Sequence, residues 1–154
     1  MLSTPEIVQT RAEQAAVIRL TIPRSEMMKQ FGPAVSELMS TLAAQGIAPV
    51  GAVFAHHLTM SADTFDFELG VRTASPVKPA GRVQASELPA AKVARTVYSG
   101  PYEGLPPAWG DFTSWIKTNG HRQAEDLWEV YAVGPQSSPD PASWRTELNR
   151  PLLG

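Results

Sequence analysis

The segment Leu127–Val133, LWEVYAV, sets one carboxylate among apolar and aromatic neighbours. Read as a strand, it alternates its side chains, so Leu127, Glu129, Tyr131 and Val133 share one face and Trp128, Val130 and Ala132 the other. Glutamate is mostly exposed in proteins, so position alone makes Glu129 a solvated side chain or the partner of an arginine such as Arg95. The alternative carries more chemistry. In an apolar pocket facing a delocalised cation, Glu129 stays ionised and supplies the opposite charge, while rings add about 0.5–2 kcal/mol of cation–π attraction. Facing a neutral ligand, it loses solvation, its pKa rises, and it becomes an acid or base near neutral pH. Spacing does not choose between these.

Other constellations are weaker. His56 and His57 are adjacent on a predicted strand, where neighbours point to opposite faces, so they cannot chelate one ion. With no cysteine and no His-x-x-x-His helix, a metal is not expected, nor is any cofactor. No Gly-x-Ser-x-Gly elbow is present. Gly100-Pro101-Tyr102-Glu103-Gly104 lacks the glycine spacing and the lysine of a phosphate loop and reads as a turn opening a helix.

The elements that must position these residues follow from periodicity. Ala15–Ile22 is a strand ending at Pro23. Met28, Phe31, Val35, Leu38 and Leu42 form a helix stripe, with Gly32-Pro33 predicting a helix that begins near Pro33 and Gln45-Gly46 stopping it. Ala52–Met60 and Thr64–Arg72 read as a hairpin around Ser61-Ala62-Asp63, and Thr73–Pro89 as a draped connection with a short strand. The order then repeats: a strand Lys92–Ser99, a helix stripe of Leu105, Trp109, Phe112 and Ile116, a strand Leu127–Val133, a loop Gly134–Ala142 and a last strand Trp144–Leu152. Each half of such a duplicated β-α-β-β chain must cover its sheet, and a cleft between halves is a common ligand site. On the second helix, Trp109 and Trp115 flank Phe112 from opposite sides, so at least one of them is free to form a pocket wall or a partner surface.

The totals narrow the function classes. At 154 residues the chain is one domain, 1–154, with repeats at about 15–72 and 91–152. A net charge of −2 with scattered Lys and Arg lacks the basic stripe of a nucleic-acid surface. No apolar run approaches a membrane span, and Met1–Gln14, with Glu6, Arg11 and Glu13, does not read as a signal peptide. The expectation is therefore a cytoplasmic protein with no membrane or nucleic-acid partner.

Several blocks carry a resemblance: Leu88-Pro89-Ala90-Ala91-Lys92-Val93-Ala94, Tyr98-Ser99-Gly100-Pro101-Tyr102-Glu103, Trp128-Glu129-Val130-Tyr131, Asp140-Pro141, and Trp144 with Thr146-Glu147-Leu148 and Pro151-Leu152. In this order, over about Ala15 to Leu152, the chain resembles the GyrI-like or AraC-type effector-binding domains. The resemblance implies an α+β fold of duplicated β-α-β-β repeats, with antiparallel sheets around a central hydrophobic ligand pocket and Glu129 at its floor. Asn149 and Arg150 depart from the aromatic and apolar residues that the family often has there. Many relatives follow a DNA-binding region, but only about a dozen residues precede the first strand here, so DNA binding by this chain alone is not expected.

With the resemblance, Glu129 takes the pocket reading. Tyr131 shares its face, Trp109 is chosen as a wall, Tyr98 stands at a strand end, and Phe54 and His56 on the first hairpin close the opposite side. The leading function is binding of bulky hydrophobic, aromatic or cationic molecules, to sequester or sense xenobiotics. The competing function, implied by some GyrI-like proteins, is hydrolysis of cyclopropanoid DNA-alkylating compounds, with Glu129 acting inside an aromatic cage. Whether the chain is an enzyme stays open at this point. Partners beyond the ligand would be a second copy in a homodimer or a separate regulator protein.

Overall fold

A computed structural model describes residues 2–61, 63–134 and 138–153, without the side chains of Met28 and Met60. Ala62 of the expected hairpin turn, residues 135–137 of the expected loop, Met28 of the helix stripe and the two terminal residues of the 1–154 span lie outside that description. The chain is an α+β protein dominated by antiparallel sheet, with nine strands and two α-helices among the described residues. It divides into two compact units, Met1–Thr10 with Ala91–Gly154, and Arg11–Ala90. No helix among the described residues is long and apolar enough to cross a membrane.

In the unit of Arg11–Ala90, β2 (Glu13–Pro23), β3 (Pro49–Met60), β4 (Thr64–Thr73) and β5 (Val83–Leu88) lie in the order β3-β4-β2-β5. Helix α1 (Met27–Ala44) packs on β2 and β4. Its buried residues, Ala34, Leu38 and Leu42, recur every four positions and meet a sheet face that includes Ile18, Leu20, Phe67, Leu69 and Val71. The helix does not begin at Pro33, as the sequence predicts, but six residues earlier, and it runs through that proline. Proline removes only the bond to the carbonyl four residues before it, that of Lys29, and Lys29 is exposed, so water can take over. Gly70 is compulsory: a methyl there would press on Val17 and Phe54, whose side chains fill the space.

In the other unit, β1 (Glu6–Gln9), β6 (Lys92–Ser99), β9 (Arg145–Leu153) and β8 (Leu127–Val133) lie in that order, with the two-residue β7 (Arg122–Gln123) on β9. Helix α2 (Leu105–Thr118) buries Ala108, Phe112 and Ile116 against Ala94, Tyr98 and Leu148. The polar segment EIVQ shows no clear strand alternation, yet β1 forms because β6 offers it a ladder and Thr10 locks its end, exchanging hydrogen bonds of 2.8 to 3.2 Å with Ala91.

Candidate functional site

Strand β8 follows its alternation as far as Val130, but the register slip beyond it sets Val133 opposite Arg145, on the face away from Glu129 and not beside it as the sequence suggests. Glu129 pairs with Leu148 on β9, whose side chain belongs to the α2-facing core, and so Glu129 faces α2. Tyr131, two residues on, lies on the same side, at the point where the register slips between Val130 and Val133. Such a bulge turns side chains away from the regular pleat. The Tyr131 hydroxyl donates to Glu129 Oε1 at 2.7 Å. From above, the first turns of α2 bring Trp109, whose Nε1 donates to Glu129 Oε2 at 2.7 Å. Each carboxylate oxygen thus accepts one short bond from an aromatic donor.

Glu129 is only 8% exposed, and none of the described ion pairs includes it. Burial raises its pKa above the ordinary carboxylate range, outweighing the two hydrogen bonds that favour the charged form. Tyr131 is pushed well above the usual phenol value, first by burial and then by the charge of Glu129. Arg95, the structural partner considered from sequence, lies elsewhere: its Nε donates to Asn149 Oδ1 at 2.7 Å and stands 3.4 Å from Glu147. Arg95, Glu147 and Asn149 occupy cross-strand positions that alternate with Leu148 and Glu129, on the face away from α2. Asn149, a departure from the family pattern, is fully buried and joins the two charges, donating to Glu147 at 3.1 Å.

Two further rings stand beside this cluster. Tyr102 meets Tyr131 edge-on at 5.9 Å and lies tilted over Trp144 at 4.9 Å. Its pKa is raised by burial and by the charge of Glu129, which sets the carboxylate within electrostatic reach. Trp144 is fixed by its Nε1, which donates to the Ser138 carbonyl at 2.9 Å. Sequence reasoning passed over both as site residues. The signal was there in Tyr102, one turn before the tryptophan-bearing helix, and in Trp144, immediately before β9.

Tyr98 has its hydroxyl on the Pro101 carbonyl at 2.8 Å, and its ring lies under Gly100 and Gly104. A side chain on Gly104 would fall on that hydroxyl, so Tyr98 sets the turn from which α2 starts. Trp109 and Trp115 both flank Phe112, at 5.7 and 6.5 Å, and Trp115 continues onto His121 at 6.4 Å. Phe54 and His56 stand on β3 in the other unit, both buried; Phe54 covers Gly70, and His56 pairs across the ladder with Glu68. Among the described residues there is no group of three or more side chains able to hold a metal ion.

Comparison with known proteins bears on this arrangement. The C-terminal domain of EcmrR has the same fold, with a TM-score of 0.86 at 21% identity over 97% of each chain. In the EcmrR–DNA complex, the match spans 57% of the EcmrR chain. SAV2435 bound to tetraphenylphosphonium matches with a TM-score of 0.69 at 10% identity, over 99% of this chain and 95% of that one. A hydrolase from Listeria innocua gives 0.71 at 12% identity, over 97% and 91%. A search of curated proteins found no match. The family profile described as GyrI-like small molecule binding domain matches residues 3–152, nearly the whole chain, and the protein belongs to that family.

Proposed function

We propose that the protein is a cytoplasmic binder of bulky hydrophobic, aromatic or cationic molecules, sequestering or sensing them at Glu129. The observation that carries this reading is a nearly buried carboxylate held by Trp109 and Tyr131, with no described ion pair of its own. A carboxylate removed from water lacks a counter-charge, and a cation spread over aromatic rings supplies it without bringing N–H groups that need acceptors. Tyr102 and Trp144 offer ring faces beside the same group. That SAV2435, a protein of the same fold, has been seen with tetraphenylphosphonium supports the ligand class.

The two units are read as copies of one β-α-β-β motif inside a single GyrI-like domain, with repeats at about 15–72 and 91–152. In support, each pairs its first strand with its third and its third with its second: β2-β4-β3 in one, β6-β9-β8 in the other. The hydrolytic alternative rests on the same carboxyl and on no further feature of its surroundings, so binding is the reading carried forward.

Calorimetric titration tests it. Tetraphenylphosphonium and methyltriphenylphosphonium should bind with one site per chain, and triphenylphosphine oxide, a neutral relative of both, more weakly. Absence of binding by both cations refutes the proposal.

A further inference from the structure

The Arg11–Ala90 unit holds a second buried titratable ring, His57, which the binding reading leaves unused. It stands on β3 opposite Phe67, at the edge of a register slip between His57 and Thr59. Its ring meets Phe65 edge-on at 5.1 Å and lies tilted over Phe67 at 4.9 Å. The residue is 4% exposed, and its Nδ1 has no hydrogen-bond partner among the described residues. Arg24, just before α1, closes the stack with its guanidinium 4.5 Å from the centre of the Phe65 ring. The same residue ties down the hairpin end: its Nε donates to the Ser61 carbonyl and its backbone N–H to that of Asp63, both at 2.9 Å.

We propose that His57 is an acid-sensitive latch on the β3–β4 hairpin. Uncharged, its ring completes the stack of Phe65, Phe67 and Arg24; protonated, it becomes a cation in an apolar slot already capped by one, and the hairpin end loosens. Among the described residues no carboxylate pairs with His57, and Asp63, at the turn, is tied to Arg24 through its backbone carbonyl. Asp66, between the two phenylalanines in sequence, points to the other face, where Arg19 and Thr21 hold it. Glu68 also lies on that face, where it accepts a bond of 2.9 Å from Ser86, and His56 stands opposite it. Glu26 and Lys29, at the start of α1, pair with each other at 3.9 Å in exposed positions.

Burial, then the neighbouring His56 and Arg24, push the His57 pKa down from 6.5 to about 4. The direction of the effect follows. The open hairpin takes up a proton below the ordinary value of 6.5 and the closed one only below about 4, so closure weakens as pH falls through that interval and levels off beneath it. At pH 5 the closed form should lose roughly 20-fold in its equilibrium against the open form relative to neutral pH. All four tryptophans and all three tyrosines lie outside this unit, so ring fluorescence does not report on it.

Amide hydrogen exchange on the full chain, expressed as protection factors to remove the intrinsic pH dependence, is the test. Protection of β3 and β4 around His57 should fall about 20-fold between pH 7 and pH 5, and in His57→Phe it should hold level. Equal losses in both proteins, or unchanged protection in the parent, overturn the latch. Should His57→Phe fail to fold, NMR titration of the His57 ring in the parent decides: a midpoint well below 6.5 supports the latch, and one at or above 6.5 overturns it.

Discussion

Replacing Glu129 by Gln keeps the size of the side chain and removes its charge. At an effective dielectric of about 20, a cationic centre roughly 6 Å from the carboxylate gains about 3 kcal/mol. Part of this is spent on ionising a group whose pKa burial has raised, so the loss on removing the charge stays below that figure, under roughly 100-fold in Kd. Calorimetry on parent and Glu129→Gln, with tetraphenylphosphonium and with triphenylphosphine oxide, separates charge from shape. The cation should lose affinity within that range and the neutral oxide by less than about 3-fold. Equal losses for the two would refute the charge role and leave Glu129 a packing residue.

Three further outcomes follow from the same geometry. Because burial raises the Glu129 pKa in the folded protein, the proton on this group stabilises the fold at low pH, and that contribution is lost as pH rises from the unfolded value through the raised one. Over that window the Tm of Glu129→Gln minus that of the parent should grow; a difference that stays flat contradicts the burial. Trp109→Phe and Tyr131→Phe each take away one 2.7 Å donor, which should raise the Glu129 pKa further and cost ~1.5–3 kcal/mol of cation affinity near neutral pH. The pH profile of binding checks this through a midpoint moved upward in both variants. Gly104→Ala drives a methyl onto the Tyr98 hydroxyl and should destabilise the protein by ~1–3 kcal/mol in denaturant unfolding, whereas Gly110→Ala, with open space around it, should not.

Much of this site was legible because β-strand alternation is a strict rule. LWEVYAV fixes Glu129 and Tyr131 on one face, and the structure joins them by a hydrogen bond. For the tryptophans six apart on α2 the spacing made no choice, and both pack against the same core; it is the bond from Trp109 to Glu129 that sets the two apart. Choosing between the solvated, arginine-paired and pocket readings of Glu129 needed the third dimension: only the register with β9 shows that Arg95 faces away from it. Tyr102 escaped notice because it lies outside the strand and helix periods, and Trp144 because it reads as the first residue of the last strand, whereas β9 begins one residue later and Trp144 meets Tyr102 from the turn before it. The packing of Tyr98 against Gly100 and Gly104 likewise depends on turn geometry that the sequence does not spell out.

The strands and helices themselves were mostly readable. The Leu127–Val133 and Lys92–Ser99 strands form as read. Local rules misled where tertiary support overrode them: Gly32-Pro33 looks like a helix start, yet α1 absorbs the proline at the cost of one exposed carbonyl. The four residues of β1 are too few and too polar to announce a strand, and they depend on the edge of β6.

A crystal structure of the protein grown with tetraphenylphosphonium tests the central claim most directly. The account predicts the phosphonium beside Glu129, its phenyl rings against Tyr131, Tyr102 and Trp109. A ligand bound elsewhere, with the Glu129 carboxylate still held only by Trp109 and Tyr131, would contradict it.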